Sequence, residues 1–170
     1  MKKETLVLVN DKDEPIGYME KMKAHEEGLL HRAFSVFIFN SEGKMLLQKR
    51  SAKKYHGGGL WTNACCSHPK PDENVKAAAE KRLFEEMGFT TTLKKVFEFT
   101  YLANVENGLI EHEYDHVFSG IYEGEINPDR MEVEDYCYKD MDTISLEVSS
   151  RPEDFTSWFK IAFPKIRGGQ

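Results

Sequence analysis

The sequence predicts an α/β chain organised as one domain, residues 1–170, with a mixed sheet packed between helices. Three observations carry this. Runs with a two-residue apolar period and runs with a helical period both occur, and they interleave without strict β-α alternation. The 170 residues match one domain and suffice for an unaided core. The chain is 40% hydrophobic and 12% aromatic, which excludes a disordered polymer.

Each element follows from local pattern. Thr5–Val9 reads as a short strand closed by Asn10-Asp11. Ala33–Asn40 (AFSVFIFN) is a strong strand, Ser41-Glu42-Gly43 a turn, and Lys44–Arg50 its hairpin partner. Ser51–Gly59 is basic and ends in three glycines, so it is a loop. Leu60–His68 runs from apolar to polar and is stopped by Pro69 and Pro71. Asp72–Met87 has helical periodicity, with Asp72 as N-cap and Gly88 as C-cap. Val96–Asn104 and Ile110–Tyr122 are strands around an Asn107-Gly108 turn, and Glu132–Tyr138 is another. After Pro152, the spacing of Phe155, Trp158, Phe159, Ala162 and Phe163 predicts a closing amphipathic helix.

Charge and composition narrow the function classes. There are 23 basic against 29 acidic residues, a net charge of −6. That balance argues against a nucleic-acid binder, though it permits a local basic pocket. The apolar run Leu6–Val9 is too short for a signal-peptide core, and no run approaches the roughly 18 residues of a membrane span. A cytoplasmic protein without membrane partners is expected. Cys65, Cys66 and Cys137 do not form a disulfide framework, so reduced thiols are expected.

Several residues break their local pattern. In the predicted helix, Val75, Ala78, Ala79 and Leu83 form an apolar stripe, yet Arg82 and Glu86 fall within it and Glu85 at its edge. A surface i,i+4 salt bridge accounts for this, and so does a functional site, because charges on a buried face are costly unless paired or coordinated. Glu111 and Glu113 point to one strand face, about 7 Å apart. Turned inward, they would need a cation or a shared proton. Taken alone, such a pair is more often solvated. His25 and His31 are six apart and do not align on a helix, although imidazole with carboxylate suits Mn, Zn or Fe better than Ca. In WTNACCSHP (Trp61–Pro69), Cys66 and His68 share a face if extended. The cysteines read as buried core, as a poor zinc signature, or as a reactive thiol beside a metal or base.

WTNACCSHP, the upstream EKMKAHEEGLLHRAFS and the downstream IEHEYDHVF, in this order and spacing, closely resemble the type I isopentenyl-diphosphate isomerases, a branch of the Nudix superfamily. The similarity runs from about Thr5 to Trp158. Where the general Nudix helix carries a first Glu, this chain has Arg82. Exchanging a carboxylate for a cation removes a metal ligand and adds a phosphate contact, which favours holding a diphosphate over cutting it.

The resemblance implies a Nudix-like α/β/α sandwich that isomerises isopentenyl diphosphate to dimethylallyl diphosphate by proton transfer across an allyl unit. It implies catalytic roles for Cys66, Glu113 and Tyr101. It implies one divalent metal (Mn2+, Zn2+ or Mg2+) at His25, His31, His68, Glu111 and Glu113. A second ion, Mg2+, would bridge the substrate diphosphate to Glu86. Diphosphate contacts fall on Lys21, Arg50, Lys54 and Arg82, and the substrate-facing aromatic on Trp158. Tyr114-Asp115 departs from other members, and Lys54 sits in a glycine-rich loop. A divergent Nudix diphosphate hydrolase and a catalytically silent diphosphate-binding domain are the alternatives. The expected partner is a small isoprenoid diphosphate, and monomer and dimer are both compatible with the sequence.

Overall fold

The structure is a computed structural model that describes residues 3–54 and 56–169. At one edge of its sheet, β1 (Thr5–Val9) pairs antiparallel with β2 (Pro15–Glu20), and the short helix α1 (Lys21–Glu27) follows. The central strand is β3 (His31–Phe39). It runs parallel to β8 (Ile110–Ile121), in register from His31 opposite Glu113 to Phe39 opposite Ile121. On its other side lies β6 (Cys65–Ser67), antiparallel, with Ser35 opposite Cys66. Beyond β8 the sheet continues into β7 (Lys94–Asn104). β4 (Met45–Arg50) meets β3 at Phe39 and Met45, then pairs with β5 (Trp61–Thr62) and β9 (Val133–Lys139). One parallel pairing among antiparallel ones makes the sheet mixed, as expected.

The two-residue period of β3 sends side chains to both faces, and a helix covers each. Phe34, Val36 and Ile38 join Ala79, Leu83 and Met87 of α2 (Val75–Met87) in one apolar cluster. Phe37 joins Met45, Leu47, Phe159 and Phe163 in the other, where α4 (Ser157–Gly168) packs. Burying each of these side chains contributes roughly 1.5–3 kcal/mol. α3 (Met141–Ser150) adds Ile144 to the second cluster.

Some expectations shift. Asp72 does not cap α2: it sits at φ +65°, and Asn74 takes the role by accepting from the Ala77 amide at 3.0 Å. Gly88 ends the helix in the left-handed region, where a Cβ would collide with the carbonyl of Asn127. Leu60–His68 divides into β5 and β6. Three elements, β2, α1 and α3, were not expected. Among the described residues no helix is long and apolar enough to cross a membrane.

Candidate active site

The site lies where α1, β3, β6 and β8 converge. Glu20 caps α1 through the Met22 and Lys23 amides, and Gly28 closes it in the left-handed region. This short helix of about two turns delivers His25 to the interior, where it and His31 at the head of β3 are both 0% exposed. His68 comes from the end of β6 and Glu113 from β8, directly across from His31. The ligand atoms of His25, His31, His68 and Glu113 all lie within 4.8 Å of one another.

Hydrogen bonds orient these rings. His25 Nδ1 donates to the Lys21 carbonyl at 2.7 Å and His31 Nδ1 to that of Leu29 at 2.9 Å. Anchoring Nδ1 to a carbonyl turns Nε2 inward, as in metal-ligating histidines. Glu113 Oε2 receives His31 Nε2 at 3.2 Å and His68 Nε2 at 3.0 Å. Burial would raise the Glu113 pKa, but the bonds from His31 and His68 hold it well below the usual range. Burial pushes His25 down to about 4 and also lowers His68. For His31 burial is outweighed by Glu113, and its pKa rises. Three imidazoles facing a carboxylate, once His31 gives up its Nε2 proton, are a donor set that fits a divalent transition metal.

Glu111 is buried on the same face as Glu113, so the pair is turned inward and not solvated. Its carboxylate, however, lies outside the group of four. Tyr101 on β7 donates to Glu111 Oε2 at 2.9 Å and lies 2.6 Å from Glu113 Oε1, bridging the two carboxylates. Burial and both glutamates push the phenol pKa well up. The other Glu111 oxygen meets His56, which sequence reasoning did not select. His56 lies in the loop 51–59, whose residue 55 is outside the described residues. No spacing rule would tie it to a glutamate 55 positions later.

A pocket of about 410 Å³ opens beside this cluster, and His68, Glu111 and Glu113 line it together with Cys66 and Trp158. The Trp158 indole N–H donates to Cys66 Sγ at 3.1 Å. Burial and then the nearby Asp115 carboxylate push the Cys66 thiol up, so it rests protonated. Cys65 points into the core. The Arg50 guanidinium lies 5.0 Å from the Trp158 ring centroid.

The expected cations Lys21, Arg50, Lys54 and Arg82 all reach the same pocket. Three of them carry carboxylate partners: Lys21 meets Glu4 at 3.1 Å and Lys54 meets Glu132 at 2.5 Å. Arg82 meets Glu85 at 3.1 Å, Glu86 at 2.8 Å and Glu132 at 3.3 Å. Glu86 is buried behind Arg82, and its other oxygen takes Gln48 Nε2 at 3.1 Å. Both Glu86 oxygens are engaged in this arrangement, so Glu86 could hold a magnesium ion only once Arg82 released its oxygen, and no step is assigned through one.

Comparison with known proteins gives this frame its class. Residues 29–159 match the NUDIX domain. A Deinococcus radiodurans protein of known structure superposes with a TM-score of 0.80 at 15% identity, covering 95% of this chain and 98% of that one. The MutT NUDIX hydrolase of Burkholderia pseudomallei gives 0.63 at 20% identity, covering 81% and 98%. At such identities the likeness shows the fold alone, the NUDIX α/β sandwich.

Curated relatives narrow the class. The Isopentenyl-diphosphate Delta-isomerase of Pectobacterium atrosepticum is 49% identical over 163 residues, 95% of this chain and 90% of the relative. Isopentenyl-diphosphate Delta-isomerase 2 of Photorhabdus laumondii is 51% identical over 159 residues, 92% and 89%. The chain belongs to the isopentenyl-diphosphate Delta-isomerase family of NUDIX-domain proteins.

Proposed function

We propose that this chain interconverts isopentenyl diphosphate and dimethylallyl diphosphate, with Cys66 and Glu113 as the proton-transfer pair. The observation that carries the reading is a thiol and a carboxylate on the wall of one pocket that is also lined by cations. Moving a double bond requires one carbon to gain a proton and another to lose one. An alkene is a very weak base, so the acid must be positioned and the cation shielded from water. The thiol of Cys66 and the carboxylate of Glu113 present one group that gives a proton and one that takes it. Tyr101, bonded to Glu113, steadies that carboxylate.

Trp158 borders the same space. Arg50 lies over its ring at 5.0 Å, and the indole π system would also stabilise a carbocation in the pocket, an attraction worth roughly 2 kcal/mol when desolvated. Lys21, Lys54 and Arg82 would exchange their carboxylate partners for diphosphate oxygens. A divalent ion (Mn2+, Zn2+ or Mg2+) held by His25, His31, His68 and Glu113, with Glu111 at hand, would supply positive charge that fixes the Glu113 carboxylate. The setting we infer is cytoplasmic isoprenoid synthesis.

The test is to incubate the protein with isopentenyl diphosphate and divalent metal in heavy water. The expected product is acid-labile dimethylallyl diphosphate carrying solvent deuterium, with no free phosphate. Product without label would sink the Cys66–Glu113 mechanism. Phosphate release would identify a hydrolase instead, and absence of turnover in any metal a binding domain.

A further inference from the structure

Cys66 meets three polar groups whose roles are fixed by bonds made further back. Asn63 is fully buried, and its amide nitrogen donates to the carbonyls of Val36 at 2.9 Å and Cys65 at 3.0 Å. Its oxygen therefore faces the Cys66 sulfur, 3.1 Å away. Thr62 donates to that same oxygen at 2.9 Å, and Thr156 donates to Thr62 at 3.0 Å. On the opposite arm Ser35, the sheet partner of Cys66, donates its hydroxyl to Asp115 Oδ2 at 2.7 Å. With its hydrogen committed, Ser35 turns its oxygen to the sulfur at 3.5 Å. Asp115 is 1% exposed and stands on the face of β8 that carries Glu111 and Glu113, yet it does not line the pocket.

A thiol has one hydrogen to give and a sulfur that accepts weakly. Here both protein arms reach it as acceptors, and the Trp158 indole reaches it as a donor. We propose that Asn63 and the Ser35–Asp115 pair are positioning residues for Cys66, offering its thiol acceptors only and so fixing where its sulfur stands and where its hydrogen lies. The proposal rests on the reading of Cys66 as a proton-transfer group. It also accounts for a buried carboxylate that the mechanism does not otherwise use, since Asp115 holds the Ser35 hydroxyl turned away from the sulfur.

Ser35→Ala removes one acceptor with little change in volume. Loss of one such hydrogen bond is expected to lower kcat about tenfold while KM changes less than about twofold. The S–H stretching band of Cys66, isolated by Raman difference against Cys66→Ala, should narrow and shift to lower frequency, because the one thiol hydrogen is left with the nearer acceptor, Asn63 at 3.1 Å. Asp115→Ala should behave like Ser35→Ala. Asp115→Asn keeps an oxygen for Ser35 and should restore kcat to within about threefold of the parent and return the band. An unshifted band with parental kcat in Ser35→Ala overturns the proposal. So does an Asp115→Asn as impaired as Asp115→Ala, which would place the effect on charge. A loss of thermal stability alone would reduce the network to packing and overturn it too. Should Ser35→Ala fail to fold, the two Asp115 variants decide. Turnover surviving in Cys66→Ala would refute the reading of the active site instead, while the band still judges this proposal.

Discussion

Replacing Arg82 with alanine separates two demands made on one side chain. Arg82 reaches the pocket but also faces three carboxylates, and these are not equal. Glu85 is exposed and Glu132 part-buried, so each of those pairs is worth about 0.2–1 kcal/mol. The Glu86 side chain is only 7% exposed. Without Arg82 it keeps the neutral Gln48 amide as a partner but loses the cation beside it. Stranding a buried carboxylate costs roughly 1–3 kcal/mol, so the loss should total about 2 kcal/mol and lower Tm by about 4–8 °C for a domain of this size. Thermal unfolding at pH 7 measures it, with Glu85→Ala expected to cost under about 0.5 kcal/mol. Combining Arg82→Ala with Glu86→Gln should recover about half, because an amide needs no counter-charge. KM for the diphosphate should also rise at least tenfold. If Arg82→Ala destabilises no more than Glu85→Ala, Arg82 is a surface residue and the argument from Glu86 fails.

Three further outcomes are expected. Cys66→Ala should lose nearly all turnover, whereas Cys65→Ala should keep it and lose about 1 kcal/mol of stability to a small cavity; equal activities would reverse the assignment. Chelation should abolish turnover, and His31→Ala should bind its metal at least tenfold more weakly by plasma mass spectrometry while staying folded; unchanged metal content would remove His31 from the ligand set. In chelated protein, stability should begin to fall below pH 6.5, because unfolded His25 takes a proton that the folded state refuses until about pH 4. Glu132, held below its ordinary 4.5 by Lys54 against the pull of burial, should add a further loss as pH falls past that value. Replacing His25 with Gln should reduce the first decline and leave the second unchanged in a melting series, the remainder of the first belonging to His68 and His116, which burial also lowers.

The strands and helices that build the core were legible because their apolar period is strong: β3, β4, β8, α2 and α4 all announce themselves. α1 did not, since seven residues with only Ala24 and His25 buried carry no periodic signal. β2 begins at a proline and is largely exposed. α3 buries only Ile144, and its β-branched and serine residues weaken a helical reading. The same logic divides the site. Cys66, His68 and Glu113 were singled out through the family resemblance, while pattern alone left each with a bland alternative. Asn63, Ser35, His56 and Asp115 act through tertiary hydrogen bonds, and a serine on a strand looks like any other serine. Glu86 was visible as a charge on an apolar stripe, but its engagement by Gln48 depends on β4, far away in sequence.

The site is assembled from widely separated stretches of chain. His31 and Glu113 stand 82 positions apart, and Cys66 and Trp158 stand 92 apart. A ribosome delivers the chain from its N-terminus, so Cys66 emerges long before the indole that covers it. Until β8 follows, the three imidazoles have no carboxylate to converge on. Until α4 follows, the Cys66 sulfur lacks the indole N–H that donates to it in the finished fold. The order of synthesis thus leaves the thiol without its indole donor until the last helix arrives, while the finished fold still presents it to the pocket.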